Sequence, residues 1–576
     1  MSNAFDKASL VMLPHAYEEG KLYSLKPTDR SGDFTFSRGT DTATRVNEQG
    51  YIEKETVNLL LQSNSFSDAA WTKNTTSVTS GQSGYDGTND AWLLNSTGTG
   101  FPRIQQSIST SGVFVFSVYA KPATDGFMLI RTFGADAQVW FDLSDGSIST
   151  ETGGQYISST TEDVGNGWYR YSVLVNGSLT SVRIYPASAY GVYSPSGNGI
   201  YIQDAMINPG LVSQPYLDTT TAPVYGGLTD NMPRLDYSKG ATCPSLLLEP
   251  SRTNSLGQSE YFDGYYANFG GVSFDINTSE TLSPEGLYNA TKLISSTNNT
   301  QQAIYKNITV STPTLTCYAK AGEFDTLALK VSGGAFANFT LTGNGSIGYS
   351  PGLSAKSIEP VGNGWYRCSV SATTNSSYAW IAIDSGNLQG DGTSGIYIYG
   401  AQLESGSYPT SYIPTYGSMQ TRAAESFSAT GLANYLGDSE GTIFIEGEQF
   451  QNASLVSIIE TTNSGVSMGV TGGNTFIFNV RVYGTNQADI QSGSIFTANT
   501  NFKLAGKYKT NDFEFFKDGE SVGTDTSGTT FVNGDLITIQ SNSSFAADQP
   551  FYGRIKQILV FPEALSYAEC IALTQN

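Results

Sequence analysis

The stretch VGNGWYRYSV, residues 164–173, returns almost unchanged as VGNGWYRCSV at residues 361–370. Each copy begins with an Asn-Gly pair, which suits a tight turn with positive φ, and the alternating residues that follow indicate a strand leaving that turn. Trp168 and Trp365 stand at the same place in the two copies. A large aromatic residue inside a strand favours a core position. The two stretches therefore predict the same hairpin, with the same buried tryptophan, in two repeated β modules.

Three further blocks repeat in the same order around this hairpin. They are NLLLQSNSF (58–66) with NSLGQSEYF (254–262), FSVYAK (116–121) with LTCYAK (315–320), and GIYI (199–202) with GIYI (395–398). Gln62 and Gln258, in the first block, lie 196 residues apart. A duplicated module reveals its own boundaries without any other sequence. The chain therefore holds two copies of one β module, offset by 196 residues.

The composition favours strands over helices and argues against two classes of partner. The 576 residues are too many for one hydrophobic core, and they include 34 Tyr, 30 Phe and 62 Gly but only 14% charged residues. Aromatic and glycine-rich sequence of this kind is typical of half-buried strands joined by frequent turns. The formal charge of −21 disfavours nucleic acid. No apolar run approaches the roughly 20 residues that span a bilayer, so we expect no membrane insertion.

The cysteines do not form a disulfide framework. The chain has four: Cys243, Cys317, Cys368 and Cys570. They lie far apart without a C-x-x-C motif, which predicts reduced, buried thiols. The repeat places Cys317 where the first copy has Ser117, and Cys368 where it has Tyr171. We therefore interpret these two cysteines as independent strand residues.

Several stretches resemble a known kind of module. ATRVN (43–47), PRLDY (233–237), CPSLLLEP (243–250), GNGWYR and the segment 394–415 resemble a module common in tail fibres, head fibres and other appendages of tailed bacteriophages. The resemblance runs from Phe36 to Arg422 and implies jelly-roll sandwiches akin to carbohydrate-binding modules. Residues 441–573 are similar to the concanavalin-like, laminin-G-like sandwich. The PRLDY and CPSLLLEP leader precedes only the second copy, so we expect it to pack against both copies.

The predicted fold class is all-β, with serial antiparallel β-sandwiches. We expect an N-terminal segment for attachment to the virion (1–56), a first jelly-roll module (57–222), a leader with the second module (223–424) and a concanavalin-like sandwich (425–576). In the last range we predict a strand at 513–517 entering an Asp-Gly turn, a strand at 553–561 and a short helix after Ser566.

The sequence offers little for catalysis. The single histidine, His15, lies in the N-terminal segment. This position argues against a Ser-His-Asp triad in the sandwiches, and one histidine cannot form a multi-histidine metal site. Glu446 and Glu448 alternate on a strand as glycosidase acids do, but we interpret them as solvent-facing and assign no catalytic residue. We expect no cofactor. Clustered carboxylates leave Ca²⁺ binding open, although no EF-hand loop is present to place it.

Binding of sugars fits the composition better than catalysis. Sugar rings lie on aromatic faces while their hydroxyls bond to polar side chains. The candidate carbohydrate-binding residues are Tyr190, Tyr193, Trp380 and Asp384, which we expect in loops of the two modules. Ordinary packing of these aromatic residues is the alternative interpretation.

The resemblance implies a structural virion protein that contributes to host-surface glycan binding. Its partners would be other virion proteins and host glycans, and fibres of this type are often homotrimers, in which several weak sites add through avidity. One alternative is a virion-associated polysaccharide-degrading enzyme, and another is a capsid decoration or joining protein without a glycan role. The sequence leaves open the placement on head or tail, the host, the glycan and the oligomeric state.

Overall fold

Strands make up nearly all of the regular structure in the computed structural model of the chain. The structure describes residues 2–333, 336–348, 350–437, 439–450, 454–461, 464–531, 534–538 and 551–575. Over these ranges it contains 46 strands and two short helices, α1 (Ser2–Lys7) and α2 (Tyr567–Thr574). The prediction of an all-β chain built from antiparallel sandwiches is confirmed.

The strands fall into five stretches of chain. Residues 1–53 hold β1 (Leu10–Met12), β2 (Tyr17–Glu18), β3 (Lys21–Leu22), β4 (Phe34–Ser37), β5 (Arg45–Val46) and β6 (Ile52–Glu53). Residues 54–227 hold β7 (Glu55–Asn58), β8 (Thr72–Asn74), β9 (Thr76–Gln82), β10 (Ala91–Ser96), β11 (Arg103–Pro122), β12 (Phe127–Phe133), β13 (Ala137–Asp142), β14 (Ile148–Thr152), β15 (Tyr156–Gly165), β16 (Trp168–Ala189), β17 (Val192–Tyr193), β18 (Gly199–Pro209) and β19 (Val224–Gly227). Next come β20 (Leu235–Asp236), a 3₁₀ turn (Ser238–Gly240), β21 (Ser245–Leu248) and β22 (Arg252–Asn254).

The remaining strands follow in the second repeat and the C-terminal region. The second repeat holds β23 (Ala267–Phe269), β24 (Ser273–Ile276), β25 (Thr291–Ile294), β26 (Ala303–Asn307), β27 (Pro313–Ala321), β28 (Thr326–Val331), β29 (Ala337–Thr340), β30 (Ser346–Ile347), β31 (Ala355–Gly362), β32 (Trp365–Ser371), β33 (Tyr378–Ala382) and β34 (Gly395–Ser405). The C-terminal region holds β35 (Gln420–Arg422), β36 (Ser426–Thr430), β37 (Glu440–Gln449), β38 (Ser454–Thr461), β39 (Ser464–Val470), β40 (Thr475–Val482), β41 (Thr485–Ile495), β42 (Asn501–Lys509), β43 (Phe513–Lys517), β44 (Glu520–Asp525), β45 (Leu536–Thr538) and β46 (Gly553–Phe561).

The chain divides into two compact units, each assembled from separated stretches. Unit 1 comprises residues 1–53, 228–252 and 421–576, and unit 2 comprises residues 54–227 and 253–420. Within unit 2, residues 54–227 are named the first module and residues 253–420 the second module. This grouping differs from the four consecutive ranges predicted from the sequence, because the N-terminal segment and the leader join the C-terminal region.

Unit 1 is a sandwich of two sheets that draws on all three of its stretches. One sheet has the order β20-β21-β46-β37-β42-β43-β44, with β1 also paired to β46, and the other runs β2-β3-β4-β36-β45-β38-β39-β40-β41. Phe34 of the N-terminal stretch and Phe427 stack with their ring centroids 4.5 Å apart in the core between the sheets. The leader strand β21 pairs with β46. The leader therefore has a place in this sandwich, and its packing against the two repeated modules stays a prediction.

Five charged side chains are buried together in unit 1. Arg234 donates to Glu425 at 2.6 Å and to Glu249 at 2.8 Å, and Arg422 lies 2.9 Å from Glu249. Arg38 completes the cluster at 3.3 Å from Glu425. The five side chains are at most 3% exposed. Because the five residues come from all three stretches of the unit, the ion cluster ties its N-terminal, leader and C-terminal parts together.

Each module of unit 2 is a two-layer sandwich with the same strand order. In the second module the layers are β24-β25-β34-β27-β32-β31 and β23-β26-β33-β28-β29-β30. In the first module β11 and β16, of 20 and 22 residues, each cross from one layer to the other, so both layers belong to one continuous sheet. The predicted duplication is thus a duplication of this sandwich.

The two modules share a polar clamp as well as a strand order. Asn58 donates to Ala205 and Leu217 and accepts from Leu60 and Ile207. In the second module Asn254 makes the same four bonds, with Ala401, Ile413, Leu256 and Leu403. Each partner lies 196 residues after its counterpart. A buried asparagine with all of these bonds fixes the entry of the chain into each sandwich.

The turn and helix predictions are confirmed. Asn166 and Asn363 have φ of 55° and 52°, and each opens the hairpin that leads into β16 or β32. Trp168 and Trp365 are each 1% exposed. Near the C-terminus, Ser566 and Glu569 form a reciprocal capping box at the start of α2. Local turn and cap chemistry therefore sets these elements, as the sequence indicates.

The cysteine predictions need two corrections. Cys317, Cys368 and Cys570 are buried and all four thiols are free, but Cys243 is exposed in the leader. Cys317 lies directly opposite Cys368 across β27 and β32, just as Val118 lies opposite Tyr171 across β11 and β16. Cys317 therefore takes the place of Val118, not of Ser117, and the two cysteines are cross-strand neighbours. Counting from the shared Tyr-Ala-Lys gives this register.

Candidate functional site

The outer face of the first module is the side of the layer β8-β11-β16-β12-β13-β14 that points away from its core. Met128, Ile130 and Val139 point inward and are fully buried in the core. Because strand side chains alternate, their neighbours Leu129, Arg131 and Trp140 point outward. The register confirms the rows, since Leu129 pairs with both Trp140 and Tyr185, and Arg131 with both Gln138 and Arg183.

An aromatic cluster covers this outer face. Trp140 lies 5.6 Å from Tyr190 and 5.8 Å from Tyr193, measured between ring centroids. Tyr193 also contacts Phe101 at 5.1 Å and Tyr185 at 5.7 Å. Tyr190 is 54% exposed and Phe101 is 62% exposed. Large aromatic rings grouped outside the core and open to solvent form a surface on which the apolar face of a ligand can stack.

Three arginines border the cluster. The guanidinium carbons of Arg183 and Arg131 lie 3.6 Å and 4.3 Å from the ring centroid of Phe133, and that of Arg103 lies 5.9 Å from the centroid of Tyr185. Burial raises the pKa of the Tyr193 hydroxyl, and the positive charges of Arg131 and Arg103 act against that rise. The face therefore combines apolar rings with a positive local potential.

The second module carries a different aromatic cluster on the same outer face. Trp380 stacks on Tyr305 with centroids 4.5 Å apart and planes 11° from parallel. Phe269 lies 5.4 Å from Trp380 and is 41% exposed. Lys330 sits 5.4 Å from the ring of Tyr378 on the neighbouring strand. Beneath the rings lie three fully buried alanines, Ala303, Ala328 and Ala382.

The two clusters do not use equivalent positions. Lys330 pairs with Trp380 as Arg131 pairs with Arg183, so Trp380 takes the place of Arg183. In the same way Asn338, which pairs with Ala328, takes the place of Trp140. The same sandwich thus presents two chemically different surfaces in the two modules.

The structure brings together part of the predicted carbohydrate-binding set. Tyr190 and Tyr193 lie in one cluster on the first module, and Trp380 lies in the cluster on the second. Asp384 follows β33 and accepts the Gly386 amide at 2.8 Å, so its carboxylate closes a turn. The assignment of sugar binding to these four residues stays a prediction.

Sequence reasoning missed Trp140 and all three arginines of the first outer face. The signal was present in the alternation of FMLIRTF (127–133) and AQVWFD (137–142). In these strands Met128, Ile130 and Val139 mark the core side, which places Arg131 and Trp140 on the opposite side. Recognising this required knowing which of the two faces was buried.

Glu446 and Glu448, the acidic pair considered for catalysis, contact neighbouring polar and charged side chains in unit 1. The prediction that Glu446 and Glu448 both face solvent is wrong for Glu448, whose side chain is 6% exposed. Lys239 and Arg554 pair with its two carboxylate oxygens at 2.5 Å and 3.1 Å. Glu446 is 18% exposed and accepts from Gln557 at 2.7 Å. Ion pairing with the leader and β46 therefore accounts for Glu448.

Side chains that could bind a metal ion do not cluster in the described part of the chain. Within those ranges no three or more His, Cys, Asp or Glu side chains are arranged to hold a metal ion. His15 is exposed, and its Nδ1 lies 2.8 Å from the carbonyl oxygen of Leu13. Ca²⁺ binding stays a prediction without a location. In the same described ranges, no helix has both the length and the apolar character needed to cross a membrane.

The C-terminal region has a recognised family likeness. Residues 435–570 match the model of the concanavalin A-like lectin/glucanases superfamily. This match covers most of the C-terminal stretch of unit 1, so a concanavalin-like, laminin-G-like domain stands at the C-terminal end, as predicted. No curated protein matches the chain.

Solved structures with local similarity include a CBM40 module of a sialidase, a pentraxin and a second sialidase. CBM40 of the Ruminococcus gnavus IT-sialidase, bound to α2,3 sialyllactose, is 20% identical over 24% of this chain and 84% of that one, with a TM-score of 0.22. The heptameric SAP-like pentraxin of Limulus polyphemus is 13% identical over 24% of this chain and 70% of that one, with a TM-score of 0.20. The NanB sialidase of Streptococcus pneumoniae is 16% identical over 25% of this chain and 26% of that one, with a TM-score of 0.22. Similarity of this size carries no argument about function.

Proposed function

We propose that this chain is a carbohydrate-binding structural protein whose two repeated modules present saccharide-binding surfaces on their outer faces. The observation that carries the proposal is the cluster of exposed Tyr190 with half-buried Trp140 and Tyr193 outside the core of the first module. A monomeric domain rarely leaves several large rings together in water without a binding role. Pyranose rings match such surfaces, because their apolar C–H faces stack on aromatic rings while their hydroxyls reach polar neighbours.

The second module supports the same proposal independently. Trp380 and Tyr305 are stacked on its outer face, and the adjoining Phe269 is open to solvent. Two surfaces of this kind in one chain would act together on a polymer with repeated sugars. Their combined affinity would exceed that of either surface alone, because binding at one raises the effective concentration at the other.

We further propose that the chain is a component of a tailed-bacteriophage particle, a fibre or appendage that contributes to host-surface glycan binding. The support is the resemblance of residues 36–422 to appendage modules of such phages. This proposal includes a virion location, contacts with other virion proteins and a homo-oligomeric state, for which the resemblance implies a trimer. Binding without cleavage is the proposed activity.

The test is a binding assay of the full chain against a glycan array and intact host cells, with release of reducing sugars scored in the same wells. We expect saturable binding without release. Trp140→Ala and Trp380→Ala are the two variants that separate the modules, and each should weaken part of the binding while the double variant removes most of it. Release of reducing ends would overturn the non-enzymatic assignment. Binding that both tryptophan variants leave unchanged would overturn the two surfaces.

A further inference from the structure

We infer that the outer face of the first module selects a saccharide that bears a carboxylate. This inference rests on the proposed function and adds the chemical class of the ligand. Residues 54–227 contain four arginines, and three of them, Arg103, Arg131 and Arg183, lie on this face. The chain as a whole has a formal charge of −21, so the positive charge beside the aromatic cluster is a feature of this face and not of the whole chain.

The positive charges of these three arginines have little compensation from nearby carboxylates. Arg131 lies 3.8 Å from Asp136, whose side chain is 51% exposed, and this is a weak surface pair. Among the described residues, Arg103 and Arg183 form no ion pair with a carboxylate. The Nε atoms of Arg131 and Arg183 are both buried without a hydrogen-bond partner in the described structure. Two guanidinium groups stacked on the single ring of Phe133 repel each other, and a bound anion would relieve that repulsion.

The geometry fits a sugar acid better than a free anion. Arg131 and Arg183 form one cross-strand row with Gln138, and Trp140 and Tyr185 belong to the next row of the same face. Outward residues two apart on a strand are separated by about 7 Å. A single sugar ring stacked at the aromatic row can therefore extend its carboxylate to the arginine row. The planar guanidinium fork suits a carboxylate, which it can bind through two parallel hydrogen bonds.

The second module supplies the internal comparison. At the positions of Arg183 and Arg103 it has Trp380 and Ala303, and only Lys330, at the position of Arg131, keeps a positive charge. An ammonium group offers a point charge rather than a planar fork. The carboxylate preference is therefore assigned to the first module alone.

The experiment uses the full chain on an array of bacterial surface polysaccharides, each printed in its native form and after chemical reduction of its carboxyl groups to alcohols. Uronic-acid-containing polymers are expected to bind in the native form and to lose about tenfold or more of their affinity after reduction. The double variant Arg131→Gln/Arg183→Gln should show a loss of the same size on the native polymers. Lys21→Gln, which removes an exposed positive charge in unit 1, should leave that binding unchanged. Arg183→Lys, which keeps the charge and removes the fork, should retain only part of it.

The outcomes separate this inference from the proposed function. Binding restricted to neutral polymers, or equal binding of native and reduced forms, would overturn the inference while the proposed function stands. Binding of sulfated polymers alone would overturn the choice of carboxylate. Equal competition by poly-glutamate would show a general surface for acidic peptides rather than sugars. Absence of binding to every polymer and cell would remove the proposed function itself. Circular dichroism and unchanged binding of neutral polymers serve as the folding controls for the double variant.

Discussion

Arg183 and Trp380 occupy the same position in the two modules, because Arg183 pairs across strands with Arg131 and Trp380 pairs in the same register with Lys330. The sandwich around them is shared down to the four hydrogen bonds of its clamp asparagine. Duplication has thus kept the scaffold while the exposed face changed. The two faces are expected to differ in ligand, and their variants should have separable effects.

Tyr190→Ala should lower the affinity of the first module for its saccharide by about five- to tenfold, the size of one aromatic contact. The side chain is 54% exposed and touches Trp140, so its removal takes away stacking area without opening the core. Isothermal titration with the best glycan from the array measures the change. Tyr483→Ala, at an 82% exposed hairpin position of unit 1, is the matched control and should bind as the parent does. A loss of equal size in both variants would contradict the assignment.

The sequence was sufficient for the fold class and for much of the local structure. The repeated Asn-Gly turns have the positive φ that they predicted, and Trp168 and Trp365 are buried. These features depend on a few neighbouring residues, so they can be read directly from the chain. The assembly of unit 1 could not be read in this way, since β1 and β21 pair with β46 across hundreds of residues.

The candidate sites were predictable only in part. Tyr190 and Tyr193 were selected because they are aromatic residues in a loop, and they do meet on one face. Arg183 was not selected, because one arginine in a strand gives no signal until its neighbours are known. Its relation to Arg131 and Phe133 arises from strand pairing and from the side of the sheet that the core leaves open.

Arg234→Met should destabilise unit 1 by about 3–5 kcal/mol, because it removes the buried guanidinium that Glu249 and Glu425 share and leaves each carboxylate with a single arginine partner. Arg234 is fully buried between Glu249 and Glu425, and burial together with the neighbouring arginines lowers the pKa of Arg38 in the same cluster to about 10. Urea unfolding followed by tyrosine and tryptophan fluorescence measures the loss. Lys21→Met breaks an exposed pair with Glu18 and should leave the midpoint nearly unchanged. Failure to destabilise in the Arg234→Met variant would refute the structural role of the cluster.

One thiol per chain should react with Ellman's reagent in the native protein, and four should react in denaturant. Cys243 is exposed, whereas Cys317, Cys368 and Cys570 are fully buried, and burial raises the pKa of the Cys317 and Cys570 thiols to about 12. Both effects suppress the reactive thiolate. Cys243→Ser should abolish the native reaction. A total of two thiols in denaturant would instead reveal an oxidised Cys317–Cys368 pair, contrary to the free state found here.

Asp204→Asn should stabilise the first module at pH 8 and change it little at pH 4. Asp204 is 5% exposed with φ of 49°, and its Oδ2 accepts from the Tyr85 hydroxyl at 2.9 Å. Burial raises its pKa to about 7 from 3.8, and the charges of Asp90 and Asp86 add to the rise. The folded state therefore holds a proton that the unfolded chain loses, and stability falls as the pH rises from about 4 to 7.

Asparagine cannot ionise, keeps a carbonyl oxygen for the Tyr85 hydroxyl and tolerates positive φ. The variant should therefore gain roughly 2–4 kcal/mol over the parent at pH 8, on the order of the free energy equivalent to the shift. Urea unfolding of both proteins at pH 4, 6 and 8 measures the difference. Asp136→Asn, at an exposed position of the same module, controls for the loss of one negative charge. A stability difference that does not grow with pH would show that Asp204 is not held protonated by its surroundings.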